Sequence, residues 1–285
     1  MIVFRDPAEV PPGFGPSVVV IGKFDGVHSG HRAVIDRARV KAVSLGATVV
    51  AVTFDRNPLA LLAPDKCPEN LIGVNQKVRL LADTGVDAVL VLRFDEDLAS
   101  LAADEFASLV LVDALAAEAV LVGADFRFGR GGVGTAQTLT AFGLSHGFEV
   151  DVVHDVRAAD RGRRVSSTWI RELLSSGDVV GARKLLGRDH SVVGEVVHGL
   201  KRGREIGYPT ANLSDDLEGF VPADGVYAGW LIDQADASGL RPGIRYPAAI
   251  SIGTNPTFDD VASRQVEAYV LDETDLDLYG RQIEL

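Results

Sequence analysis

Residues 17–31 read Ser17-Val-Val-Val-Ile-Gly-Lys-Phe-Asp-Gly-Val-His-Ser-Gly-His31. The opening apolar run ends in glycine, as expected of a strand buried on both faces. Glycines at 22, 26 and 30 then permit tight turns and close backbone approach. Helical spacing begins at about His31 and runs to Leu45, with Gly46 as C-cap. A strand that feeds a glycine-rich turn and then a helix is the first unit of an α/β sheet.

The same rhythm continues downstream. Strands are predicted at Thr48–Phe54, Ala88–Leu92, Ala119–Val122 and Glu149–Val153. Helical patterns separate them at Val74–Thr84, Ala103–Leu115 and Thr135–His146, and two short helices follow at Ser167–Ser175 and Asp178–Leu186. Such alternation predicts a Rossmann-like parallel sheet with helices on both faces and ligands at the carboxyl ends of its strands. After Gly187 the rhythm changes. Runs at 191–198, 225–231, 246–252 and 266–271 are short, β-branched and aromatic, with turn residues between them, which predicts an antiparallel barrel or sandwich. The boundary falls near residues 186–190, giving domains 1–186 and 187–285.

The 285 residues are 47% hydrophobic and 24% charged, a globular composition. With 28 Lys and Arg against 40 Asp and Glu the formal net charge is −12, which argues against general nucleic-acid binding but leaves room for a nucleotide in a local cluster of donors. Cys67 is the only cysteine, so no intrachain disulfide or multi-cysteine zinc site can form. No apolar run reaches the roughly 18–20 residues of a membrane span, and a cytoplasmic protein is expected. The sequence leaves the oligomeric state open.

His28 and His31 stand where the first helix begins. Unpaired N–H groups and the positive dipole end favour an anion there, and two imidazoles add donors for a triphosphate and its transition state. The spacing alone suits a solvated turn equally well. Metal binding is a weaker option, because Asp25 is the only other ligand type in the loop. The pattern is neither a dinucleotide fingerprint nor a Walker loop. A second cradle is Val165-Ser-Ser-Thr-Trp-Ile-Arg171, where capping hydroxyls and an arginine open another helix.

In combination, Gly22-x-Phe-Asp-Gly-x-His-x-Gly-His31, Gly123-Ala-Asp-Phe-Arg-Phe-Gly129 and Ser166-Ser-Thr-x-Ile-Arg171 resemble the FMN adenylyltransferase half of bacterial bifunctional riboflavin kinase/FAD synthetases. The resemblance implies that Gly22, Phe24, Asp25 and Gly26 cradle the nucleotide. His28 and His31 would stabilise the ATP phosphates and the transition state. Ser167, Thr168 and Arg171 would hold the β- and γ-phosphates, and Asp125 with Phe126 would line the flavin and adenine pocket. Where that family carries Asp-Pro-His-Pro, this chain has Asp55-Arg-Asn-Pro58, and Asn57 can donate a hydrogen bond but carries no charge.

In the second half, Gly199-Leu-Lys-Arg-Gly-Arg-Glu-Ile-Gly-Tyr-Pro-Thr-Ala-Asn212 places a basic glycine-rich loop before two neutral oxygen ligands, Thr210 and Asn212, on one side of an extended segment. They suit a Mg²⁺ that keeps waters and substrate phosphates; an ordinary Asx turn fits the same residues. Glu267 interrupts an apolar strand, where a carboxylate needs a function, a partner or solvent. With Gly225-Val-Tyr-Ala228 and Ile252-Gly-Thr-Asn-Pro-Thr257, these motifs resemble the riboflavin kinase module, a Greek-key β-barrel. That implies nucleotide contacts from Gly203, Mg-ATP on Thr210 and Asn212, and Glu267 as general base toward riboflavin. The whole would convert riboflavin to FMN and FMN to FAD with ATP and Mg²⁺. Members of the family continue past Leu278-Tyr-Gly280 with a further strand and helix. An incomplete last strand with an open edge is therefore expected, and an active adenylyltransferase carrying an inactive barrel is the second reading.

Overall fold

The computed structural model describes residues 1–153, 162–198, 210–233, 243–254, 264–273 and 276–285. They pack as two compact units, Met1–Asn70 with Val74–Ser167, and Leu71–Gly73 with Thr168–Leu285.

The first unit is a six-stranded parallel sheet. Its strands are β1 (Ile2–Phe4), β2 (Ser17–Ile21), β3 (Thr48–Phe54), β4 (Ala88–Leu92), β5 (Ala117–Gly123) and, after a two-residue hairpin of β6 (Arg127–Phe128) and β7 (Gly134–Thr135), β8 (Glu149–Val153). The helices between them are α1 (Ser29–Leu45), α2 (Leu59–Leu62), α3 (Val74–Ala82), α4 (Glu96–Ser100), α5 (Ala103–Phe106), which runs on as a wider helical stretch to Ala114, and α6 (Ala136–His146). The order across the sheet is β1-β4-β3-β2-β5-β8. From β2 the chain builds outward through β3 to β4, then returns to lay β5 on the other side of β2. The crevice at the carboxyl ends of β2 and β5 is therefore a topological switch point, the favoured ligand position in such sheets.

Every residue of β2 and β4 is buried. Val19, Val50, Leu90 and Val120 face one core with Phe106, Leu111 and Leu139, and the alternate residues turn toward the opposite face, where α1 packs through Ile35, Ala38 and Ala42. Each such aliphatic side chain contributes about 1.5–3 kcal/mol on burial. Gly46 caps α1 at φ 63°, as its position suggests. The edge strand β8 carries Glu149 and Asp151, which pair with Lys41 at 2.6 Å and Arg37 at 2.5 Å.

In the second unit α7 (Ser167–Ser175) and α8 (Val179–Leu186) precede six strands, β9 (Val193–Val197), β10 (Thr210–Leu213), β11 (Gly225–Asp233), β12 (Ile244–Thr254), β13 (Arg264–Val270) and β14 (Gln282–Glu284). They form a closed antiparallel barrel in the order β10-β13-β12-β11-β14-β9. By packing, α7 beyond Ser167 and the whole of α8 go with this unit.

The expectation of an open edge at the last strand is corrected here. β14 pairs with β11 on one side and β9 on the other, so the described strands leave no open edge. Its hold is physical: Ile283 and Leu285 are buried in the barrel core, Arg281 meets the buried Asp233 at 2.7 Å, and the Ser191 hydroxyl donates to Glu284 at 2.5 Å.

Candidate functional site

The loop between β2 and α1 lies at the switch point. α1 begins two residues earlier than the spacing suggests, because His28 is its N-cap: the His28 Nδ1 accepts the His31 N–H at 3.3 Å. An Nδ1 that accepts leaves Nε2 as the protonated nitrogen of a neutral His28 imidazole. The two rings stack at 3.7 Å with an interplanar angle of 13°, and Phe24 meets His31 edge-on at 5.2 Å. Gly30 permits the stack, since a Cβ there would stand 3.1 Å from the His28 ring.

The loop is strained. Phe24, Gly26 and Val27 have φ of 48°, 85° and 39°. Glycine adopts such values freely, but for a β-branched residue they are exceptional and cost about 1–3 kcal/mol. Burial of Phe24 and Val27 offsets that cost. Left-handed residues in a tight turn gather backbone N–H groups into a concavity suited to an anion.

His31 is neutral. Burial pushes its pKa well below the usual histidine value, and the neighbouring His28, Lys77 and Arg164 push it further. Its Nδ1 is buried and without a hydrogen-bond partner among the described residues.

The two distant motifs of this unit meet. The Ser167 hydroxyl donates to the Asp25 carbonyl at 2.8 Å, across 142 residues of sequence. On the other side of the switch point Asp125 is exposed and pairs with Arg164 at 3.0 Å, while Phe126 stacks on Phe128 at 5.3 Å. Thr168, exposed, and Arg171, half-buried, lie in the first two turns of α7 and belong by packing to the second unit. Asn57 caps a local turn through its Oδ1, which accepts the Leu59 N–H at 3.1 Å and leaves the amide nitrogen as a donor.

Sequence reading missed Lys77. Its ammonium is buried, at 7% exposure, and donates to the Phe54 carbonyl at 2.9 Å, at the end of β3. Burial lowers its pKa, opposed by the nearby Asp25 and Asp55. A signal was available. Val74, Lys77, Val78 and Leu81 follow the i, i+3, i+4, i+7 spacing of the apolar stripe of α3, so a lysine stands where a hydrophobe belongs.

On the barrel, β10 and β13 pair in the register Thr210↔Tyr269, Ala211↔Ala268, Asn212↔Glu267. Ala211 and Ala268 point inward and are buried. Thr210, Asn212, Glu267 and Tyr269 therefore share the outer face, all half-buried, and Ser251 lies opposite Glu267 on its other side. The Asn212 amide donates to the Thr210 carbonyl and hydroxyl, each at 3.2 Å. That orientation leaves Asn212 Oδ1 and a lone pair of the Thr210 hydroxyl as neutral oxygen donors beside one carboxylate. Such a set suits a hard divalent cation that takes its remaining ligands from phosphates and water. Among the described residues there is no cluster of three or more His, Cys, Asp or Glu able to hold a metal. Gly203 lies outside the described residues.

A family model described as FAD synthetase matches residues 12–169, and one described as riboflavin kinase matches residues 186–285. The bifunctional riboflavin kinase/FMN adenylyltransferase of Escherichia coli (strain K12) is 38% identical over 94% of this chain and 82% of its own length. The protein of the same description from Bacillus subtilis (strain 168) is 34% identical over 94% of this chain and 82% of its own length. A crystal structure titled macrolide-efflux protein from Streptococcus pneumoniae superposes with a TM-score of 0.80 at 33% identity, covering 99% of this chain and 88% of that one. Among the described residues here, no helix is long and apolar enough to cross a membrane.

Proposed function

The chain belongs to the bifunctional riboflavin kinase/FMN adenylyltransferase family, and from that premise we propose which residues carry each of its two reactions. It is a transferase that phosphorylates riboflavin to FMN and adenylates FMN to FAD, drawing on ATP in both steps. The adenylyltransferase module is taken as residues 1–186 and the kinase module as residues 187–285. The enzyme works in the cytoplasm on small-molecule flavins and ATP, without nucleic acid or membrane as partner.

In adenylation, an oxygen of the FMN phosphate attacks the α-phosphorus of ATP, and the bond to the bridging oxygen breaks as pyrophosphate leaves. The loop of Gly22, Phe24, Asp25 and Gly26 and the start of α1 receive the triphosphate. The His28 Nε2–H and the neutral His31 supply hydrogen bonds to charge that grows in the transition state. Ser167 fixes the loop from behind through the Asp25 carbonyl, while Thr168 and Arg171 hold the departing phosphates and Asp125 with Phe126 borders the flavin and adenine.

In phosphorylation, Glu267 accepts the proton of the ribityl 5′-hydroxyl, whose oxygen attacks the γ-phosphorus as ADP leaves. Thr210 and Asn212 would hold a Mg²⁺, which when bound neutralises phosphate charge, and Gly203 would contact the nucleotide.

The stacked His28–His31 pair at the mouth of the switch point is the observation that carries the adenylation reading. Chromatography of products after separate incubations of riboflavin and of FMN with Mg-ATP tests the whole. FAD from FMN, and FMN or FAD from riboflavin, is the expected result. Absence of either conversion removes the corresponding half.

A further inference from the structure

Lys77 is a buried cation that neither reaction, as assigned above, employs. It sits on α3 and reaches the carboxyl end of the sheet, where its ammonium donates to the carbonyl of Phe54, the last residue of β3. Two carboxylates lie near enough to act on it, Asp25 from the loop after β2 and Asp55 from the loop after β3. Arg56, exposed, already pairs with Asp55 at 3.5 Å. Lys77 adds a second, buried positive charge near the two carboxylates, at a site that must admit ATP and the FMN phosphate, both anions. A buried ammonium is costly unless its donors are used and its charge is matched, so its presence here calls for a function.

We infer that Lys77 is a positioning residue of the adenylylation site, whose buried ammonium ties the Asp25 and Asp55 loops to the end of β3 and offsets their charge beside His31. It acts through those groups rather than by contact with the reacting atoms. The charged and titratable groups that bear on His31 are His28 from its own loop, Lys77 from α3 and Arg164 from the segment ahead of α7. Removing the Lys77 charge eases protonation of His31. A protonated His31 would then accumulate at a higher pH than in the wild type, and the acid limb of the rate profile would move upward with it.

The inference rests on the assignment of His28 and His31 to the phosphate site, and the test separates the two. FMN adenylation is measured across pH for the full chain and for Lys77→Met, Lys77→Arg and His28→Ala. Riboflavin phosphorylation and thermal melting are followed on the same preparations. The methionine variant keeps most of the volume and loses the charge. We expect its kcat for adenylation to fall on the order of 10- to 100-fold, the scale of a small misplacement at a reacting centre. Its KM for ATP should change less, its acid limb should move to higher pH, and its kinase rate should stay at the wild-type value. The arginine variant keeps the charge and should hold the acid limb and most of the rate. Wild-type adenylation with an unmoved limb in a folded Lys77→Met protein overturns the inference. Should the methionine variant fail to fold, a folded Lys77→Arg protein that has lost both rate and limb overturns it equally. Undiminished adenylation by His28→Ala would instead sink the site assignment on which the inference stands.

Discussion

Asn212 and Glu267 stand directly opposite each other across β10 and β13, on the outer face of the barrel. They are separated by 55 residues of sequence, from 212 to 267, yet the antiparallel register makes them nearest cross-strand neighbours. The Asn212 amide is turned toward Thr210, so the carboxylate is not spent on that neighbour. A half-buried carboxylate beside two neutral oxygens is suited to accept a proton next to a metal-bound phosphate chain.

Glu267→Gln keeps the shape and removes the base. Riboflavin phosphorylation should fall about 10²- to 10⁴-fold, the usual contribution of a positioned general base. FMN adenylation by the same preparation should stay within about a factor of two of the wild type, the scatter expected for a surface change outside the groups assigned to that reaction. Separate rate assays with each flavin check both statements, and kinase activity that survives the substitution would remove Glu267 from the mechanism.

His28→Ala deletes a donor at the phosphate site and the cap of α1 together. Loss of one preorganised donor costs about 10²–10³ in kcat, and loss of a cap about 1 kcal/mol of stability. Adenylation should therefore nearly vanish while the fold melts only slightly earlier. Phosphorylation of riboflavin is the internal control and should be unaffected.

Ser167→Ala tests the link between the two motifs of the first unit. The hydroxyl bond to the Asp25 carbonyl is worth about 1 kcal/mol, and without it the strained loop is less firmly held. Adenylation should drop roughly tenfold, the equivalent of about 1.4 kcal/mol in the barrier. Stopped-time assays at saturating ATP measure it, and a wild-type rate would show that the loop needs no such support.

His190 makes stability depend on pH. Burial lowers its pKa from 6.5 to about 4, opposed by its hydrogen bond to the Phe220 carbonyl at 2.6 Å and assisted by Arg188. The folded chain thus resists a proton that the unfolded chain accepts below about pH 6.5. Its contribution is fully present above that pH, falls as the pH drops through the window from 6.5 to 4, and is lost below it. The total is at most about 3 kcal/mol. Urea unfolding at about pH 7.5 and about pH 4.5, either side of most of that window, should show a smaller difference for His190→Gln than for the wild type. An identical difference would refute the assignment.

Much of this was legible in the sequence where local pattern and tertiary role agree. β3 and α7 fall on the residues that their apolar spacing marks, and Gly46 and Gly187 end their helices in the left-handed region. The motif positions of both halves were readable too, because glycines, histidines and the Pro-Thr-Ala-Asn order are local signals. Three features were not. The three-residue strands β1 and β14 are too short to show a period, and only their pairing with β4, β9 and β11 defines them. The left-handed Val27 could not be foreseen, because nothing in a valine announces a strained backbone; the surrounding fold imposes it. Lys77 lay on an apolar stripe, but the charges that act on it, Asp25 and Asp55, come from loops after β2 and β3 that sequence spacing does not bring together.

The central claim is that the two reactions use separate sets of residues, and complementation tests it most directly. Glu267→Gln and His28→Ala proteins are incubated with riboflavin and Mg-ATP, singly and mixed, and the flavins are separated by chromatography. The account predicts unchanged riboflavin from the first, FMN that goes no further from the second, and FAD from the mixture. FMN or FAD from the first protein alone, FAD from the second alone, or a mixture that yields no FAD would contradict it.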